Sequence, residues 1–137
     1  YIKKKLNNKK LICVSPDVGG VARTRALATR IKADLAIIDK RRPSPGKSEV
    51  MNIIGNVKDK TCIIVDDIID SGGTIVNAVD ALKKNGANEV YVFITHAVLS
   101  GNAIKNIQKS RIKKFLILDV DQAISLSFLL GNGLPPR

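Results

Sequence analysis

The sequence predicts an α/β fold, a twisted parallel sheet flanked by helices on both faces, and two features of the chain predict it. Five short apolar runs, at 11–14, 35–38, 62–65, 90–94 and 115–118, alternate with stretches whose apolar residues recur at helical spacing. Continuous apolar runs mark strands buried on both faces, and their alternation with helices makes neighbouring strands parallel. The second feature is where reactive side chains fall. Asp17, Lys40, Asp66 and His96 each come just after one of these runs. Such positions gather at the carboxyl edge of a parallel sheet, where open α/β sheets bind ligands.

The first run delivers the turn Ser15-Pro16-Asp17-Val18-Gly19-Gly20, after which Gly19 to Ile31 reads as an amphipathic helix with Val21, Ala22, Ala26 and Ile31 on one side. Asp17 stands where a helix N-cap is expected. The second run leads into Lys40-Arg41-Arg42-Pro43, followed by Pro45 and Gly46. Those breakers predict a basic loop, not a helix. Composition alone reads the cations as a solvated cluster.

The third run carries the densest chemistry. Val65-Asp66-Asp67-Ile68-Ile69-Asp70-Ser71-Gly72-Gly73-Thr74 takes a buried strand through acids into a glycine turn, and Ile75, Ala78, Val79 and Leu82 then recur at helical spacing. Glycines at a helix start let the backbone approach an anion, and the free N–H groups and helix dipole favour its charge. Ser71 and Thr74 add hydroxyl donors. Asp66 and Asp67 cannot hold a phosphate, but they can accept hydrogen bonds from sugar hydroxyls or face a hydrated Mg2+. The plainer alternative is a turn with Asp70 or Ser71 as helix cap, which leaves the paired strand acids without a purpose. The helix runs from Thr74 to Asn85, and Gly86 suits the left-handed position that ends it. The fourth run ends at the single His96, which reads as a structural residue, not a general base.

A basic loop beside a phosphate cradle has a chemical use, because phosphoryl and diphosphoryl transfer depend on cations that neutralise the charge of the moving group. The string from Val65 to Thr74 resembles the phosphoribosyl diphosphate (PRPP) binding motif shared by type I phosphoribosyltransferases and PRPP synthetases. Three further stretches extend the resemblance: Val14 to Arg23, Lys40 to Pro43 with Ser48-Glu49-Val50-Met51-Asn52-Ile53-Ile54-Gly55, and Thr95 to Gly101. Together they are similar to the C-terminal half of the ribose-phosphate pyrophosphokinases, best over 10–109.

The resemblance implies a type I phosphoribosyltransferase-like fold and transfer of the diphosphoryl group of ATP to the anomeric hydroxyl of ribose 5-phosphate, giving PRPP and AMP. It assigns Asp70, Ser71, Gly72, Gly73 and Thr74 to the 5-phosphate, and Asp66 and Asp67 to the ribose hydroxyls. Lys40 becomes the catalytic lysine of a flexible loop running to about Ile53, and Arg42 its partner on the substrate and the transferring phosphates. Asp17 faces Mg2+, with Asp66 and Asp67 as further metal candidates. The family also implies a homo-oligomer, commonly a hexamer. A catalytically inactive regulatory subunit and a type I phosphoribosyltransferase are the alternatives.

At 137 residues the chain has the length of one domain, so the N-terminal domain of the family, which completes the Mg2+ and ATP site, is expected to be absent. Ribose 5-phosphate binding with weak or no turnover is the corresponding expectation. From 110 to 137 the sequence diverges from the family, with a segment missing after Ser110 and a frayed tail at 131–137. The net charge of +11 raises nucleic acid as a partner, but only 4% of residues are aromatic, too few for base stacking. Phosphorylated small molecules fit that charge better. Cys13 and Cys62 fall inside apolar runs and read as buried thiols without a disulfide framework. No apolar run is long enough to span a bilayer, and a cytoplasmic setting is expected.

Overall fold

The computed structural model describes residues 2–7, 9–41, 44–46, 50–69, 73–97 and 102–117, with 67–69, 96, 97 and 117 described by backbone alone. The elements run α1 (Ile2–Lys5), β1 (Leu11–Ser15), a 3-10 turn (Val18–Gly20), α2 (Val21–Ile31), β2 (Asp34–Arg41) and β3 (Val50–Ile54). They continue with β4 (Thr61–Ile69), α3 (Gly73–Lys84), β5 (Glu89–Ala97), α4 (Ala103–Lys109) and β6 (Lys114–Ile117). The six strands form one sheet in the order β3-β2-β1-β4-β5-β6.

Four of the pairings are parallel, β1 with β2 and β4, β4 with β5, and β5 with β6. The apolar runs are the strands, and they are apolar throughout because both faces are covered. Cys62 and Ile64 pack with Ile75, Val79 and Leu82 of α3, whereas Ile63 packs on the opposite face with Leu6 and, at its margin, Leu27 and Ile31 of α2.

One expectation changes. The stretch expected as a basic loop from Lys40 to Ile53 is in part a hairpin, with Lys40 and Arg41 on β2 and paired antiparallel to Met51 and Val50. This adds an antiparallel edge to the parallel sheet. The physical reason is visible in β3 itself, where Met51 and Ile53 are half-buried against the core while Val50, Asn52 and Ile54 face outward. A strand with one wet face alternates, and the proline and glycine before it signal its turn without revealing the ladder. The helix expected from Gly19 also divides, opening with the 3-10 turn before α2 begins at Val21.

Helix ends supply a matched pair. Gly86 ends α3 at φ +92, with its N–H donating to the Lys83 carbonyl at 3.1 Å and the Ala87 N–H donating to Leu82 at 3.1 Å. This is the Schellman arrangement, and it confirms the stop read from the sequence. Helix α2 ends likewise, the Ala33 N–H donating to Ala28 at 2.9 Å, but its left-handed residue is Lys32 at φ 55. An L-residue there carries strain of about 1 kcal/mol that glycine lacks. Lys32→Gly is therefore expected to raise stability by about 0.5–1 kcal/mol and Gly86→Ala to lower it by about 1 kcal/mol, as read by urea unfolding.

The two cysteines are buried and free, on adjacent strands but opposite faces, since Ile12 and not Cys13 is the register partner of Cys62. Burial pushes each thiol up from 9.0 to about 12. Folding thus favours the protonated thiols, and the stability this contributes is complete below pH 9.0 and lost as the pH rises toward 12. Alkylation by iodoacetamide at pH 8 should run at least ~100-fold slower in the folded chain than in urea.

Candidate functional site

Strands β1 and β4 lie side by side, with Val14 in register with Ile64. From β1 the chain turns toward β2 by way of α2, and from β4 it turns toward β5 by way of α3. The direction of sheet growth reverses between them, and a crevice opens at such a reversal. Asp17 follows β1, and Asp66 lies on β4 one residue beyond the level where β1 ends.

The turn after β1 is built by its own polar atoms. The Ser15 hydroxyl, fully buried, donates to the Asp17 carbonyl oxygen. Asp17 has extended backbone, and its Oδ1 accepts from the Gly20 N–H at 2.8 Å. The capping role read from the sequence is present, though the element capped is the 3-10 turn. A Cβ on Gly20 would lie 3.1 Å from Ser15 Oγ and 3.4 Å from both Asp17 Oδ1 and Arg23 Nη2. A side chain there would require the Ser15 hydroxyl to give by a few tenths of an ångström.

Arg23, in the first turn of α2, donates from Nη2 to Asp66 Oδ1 at 3.2 Å. The Arg23 side chain is 40% exposed and that of Asp66 19%. Water screens such a pair to about 1 kcal/mol or less of stability, so its larger effect is on orientation. No role was assigned to Arg23 from the sequence. A signal existed nonetheless: a cation in the first turn of a helix opposes the helix dipole and calls for a carboxylate from elsewhere.

Lys40 approaches the same edge from β2. Ser15 is in register with Ile37, so Lys40 stands three residues further along its strand, about 10 Å past the end of β1. Alternation from Ala36 and Ile38 puts it on the face that Cys62, Ile64 and Asp66 share. Arg41, on the opposite face, is tied to Asp39 by a 2.8 Å ion pair. Gly73 opens α3 and Thr74 is exposed in its first turn, so the positive end of that helix also meets this edge.

Arg42, Asp70, Ser71 and Gly72 lie outside the described residues, as does the tail at 131–137. Asp67 and His96 are placed by backbone, Asp67 on β4 next to Asp66, and His96 on β5 in register with Ile68. Among the described residues no three His, Cys, Asp or Glu side chains gather as a metal cluster, and no helix is long and apolar enough to cross a membrane.

Comparison with known proteins identifies the family of this fold. The family model described as phosphoribosyl transferase domain matches residues 1–125. A ribose-phosphate pyrophosphokinase of Bradyrhizobium diazoefficiens is 59% identical over 118 residues, covering 86% of this chain and 37% of that protein. One from Bacillus cereus is 60% identical, covering 92% of this chain and 43% of the relative. This chain thus spans less than half the length of these relatives. The crystal structure of phosphoribosylpyrophosphate synthetase from Mycobacterium smegmatis superposes with a TM-score of 0.78 at 36% identity, over 85% of this chain and 37% of that one. Purine phosphoribosyltransferase from Pyrococcus horikoshii shares the fold, with a TM-score of 0.56 at 22% identity over 84% of this chain and 74% of that one. The chain belongs to the phosphoribosyl transferase domain family, and within it is similar to the ribose-phosphate pyrophosphokinases.

Proposed function

We propose that this chain is the ribose 5-phosphate half of a ribose-phosphate diphosphokinase, which moves the diphosphoryl group of ATP to the anomeric hydroxyl of ribose 5-phosphate and releases AMP. The reading is supported by Asp17 after β1, Asp66 on β4, Lys40 on β2 and the start of α3 after β4 all belonging to the carboxyl edge of the sheet. Sugar phosphates need both chemistries found there, an anion cradle and carboxylates that accept from hydroxyls.

In this reading Asp70, Ser71, Gly72, Gly73 and Thr74 hold the 5-phosphate through backbone N–H groups and hydroxyls. Asp66 and Asp67 accept from the ribose hydroxyls. Lys40 and Arg42 neutralise the moving phosphates, Lys40 as a compact charge and Arg42 as a planar fork. Asp17 holds Mg2+. The donor chemistry fits, since Mg2+ takes one or two carboxylates and completes its shell with water and substrate phosphates, and a carboxylate bonded to one N–H keeps further acceptor positions. When bound, the ion shields the negative charge of the diphosphoryl group. The homo-oligomer of the family and a cytoplasmic setting complete the proposal.

Incubation of the chain with ATP, Mg2+ and ribose 5-phosphate should form AMP above an ATP-only blank, and calorimetry should show sugar phosphate binding. Lys40→Ala should cut AMP formation at least ~100-fold while changing ribose 5-phosphate affinity less than about twofold, because a contact made to the moving group acts on rate. Unchanged AMP formation would remove Lys40 from its role. Binding without AMP would favour the inactive subunit, and base-dependent diphosphate release from PRPP a phosphoribosyltransferase.

A further inference from the structure

We propose that Arg23 is a positioning residue of this site, fixing the Asp66 carboxylate that receives the sugar hydroxyls without touching the substrate itself. The inference rests on the ribose 5-phosphate reading above. It starts from an expense of placement: a guanidinium in the first turn of α2 faces the positive end of that helix. Its Nη2 donates to Asp66 Oδ1 at 3.2 Å, 43 residues away in sequence and on another element.

The surroundings are arranged around this contact. Gly20, three residues before Arg23, donates its N–H to Asp17 Oδ1 at 2.8 Å. Ser15 holds the carbonyl of Asp17 from below. Asp17, in the turn after β1, and Asp66, on the neighbouring strand β4, thus have their carboxylates held in one frame, the first by the Gly20 N–H and the second by Arg23.

The chemistry gives that frame a purpose. An aspartate that accepts from a sugar hydroxyl must present the correct lone pair, and a free carboxylate rotates about two bonds. Anchoring Oδ1 removes that freedom before the sugar arrives. A guanidinium does this better than an ammonium, since its donors are planar and fixed in direction.

The test separates orientation from general damage. Ribose 5-phosphate and ethyl phosphate, which carries the phosphate ester without hydroxyls, are titrated into the chain and followed by NMR. Arg23→Met should weaken ribose 5-phosphate about tenfold and ethyl phosphate less than about twofold, with Arg23→Lys between wild type and Arg23→Met. In an Asp66→Ala background, which lacks the acceptor, Arg23→Met should add no further loss, because its effect passes through Asp66. Equal loss of both ligands, or no loss of ribose 5-phosphate, would overturn the proposal. If Arg23→Met does not fold, Arg23→Lys carries the same two-ligand comparison. Failure of the wild-type chain to bind ribose 5-phosphate would sink the site reading itself, whereas wild-type binding with an indifferent Arg23 would sink only this role.

Discussion

The adjacency of β1 and β4 is the constraint on which the rest of the molecule depends. Their ladder, from Leu11 opposite Thr61 to Val14 opposite Ile64, joins the first run to the third across some fifty residues of chain. Once it forms, α2 must cover one face and α3 the other, and neither can roof the carboxyl ends between them. Asp17 and Asp66 reach the same opening because each lies just past the ladder, not because they are near in sequence. Arg23 can bridge to Asp66 for the same reason.

The buried interior supports that ladder by being dry on both sides. Cys13, Val14, Cys62, Ile63 and Ile64 are fully buried, so a shift of register would press polar neighbours into the core. Ser15 is a polar residue buried at the end of β1, satisfied by the Asp17 carbonyl oxygen. It marks the point where packing gives way to chemistry. Below it the strands hold aliphatic side chains, and above it they carry acids and cations.

Much of this was legible in the sequence, and the reasons are physical. Strands covered on both faces write themselves as unbroken apolar runs, and helix α3 is bounded by a glycine whose φ of +92 other residues resist. The acids of β4 were legible because carboxylates just after an apolar run serve no purpose in packing. Strand β3 was less so, since its outward residues Val50 and Ile54 are apolar and blur the alternation that would reveal a half-wet edge. The link from Arg23 to Asp66 was hidden for a different reason. It depends on which strands become neighbours, and no local pattern records that.

The hairpin of β2 and β3 changes how Lys40 must be thought of. A lysine in coil would surrender backbone freedom on meeting a nucleotide, about 1–2 kcal/mol for each residue fixed. Lys40 and Arg41 are held opposite Met51 and Val50 already, so that entropy is forfeited during folding. What remains free to move is the side chain, mounted on a backbone that would not need to be ordered again when an anion meets the ammonium.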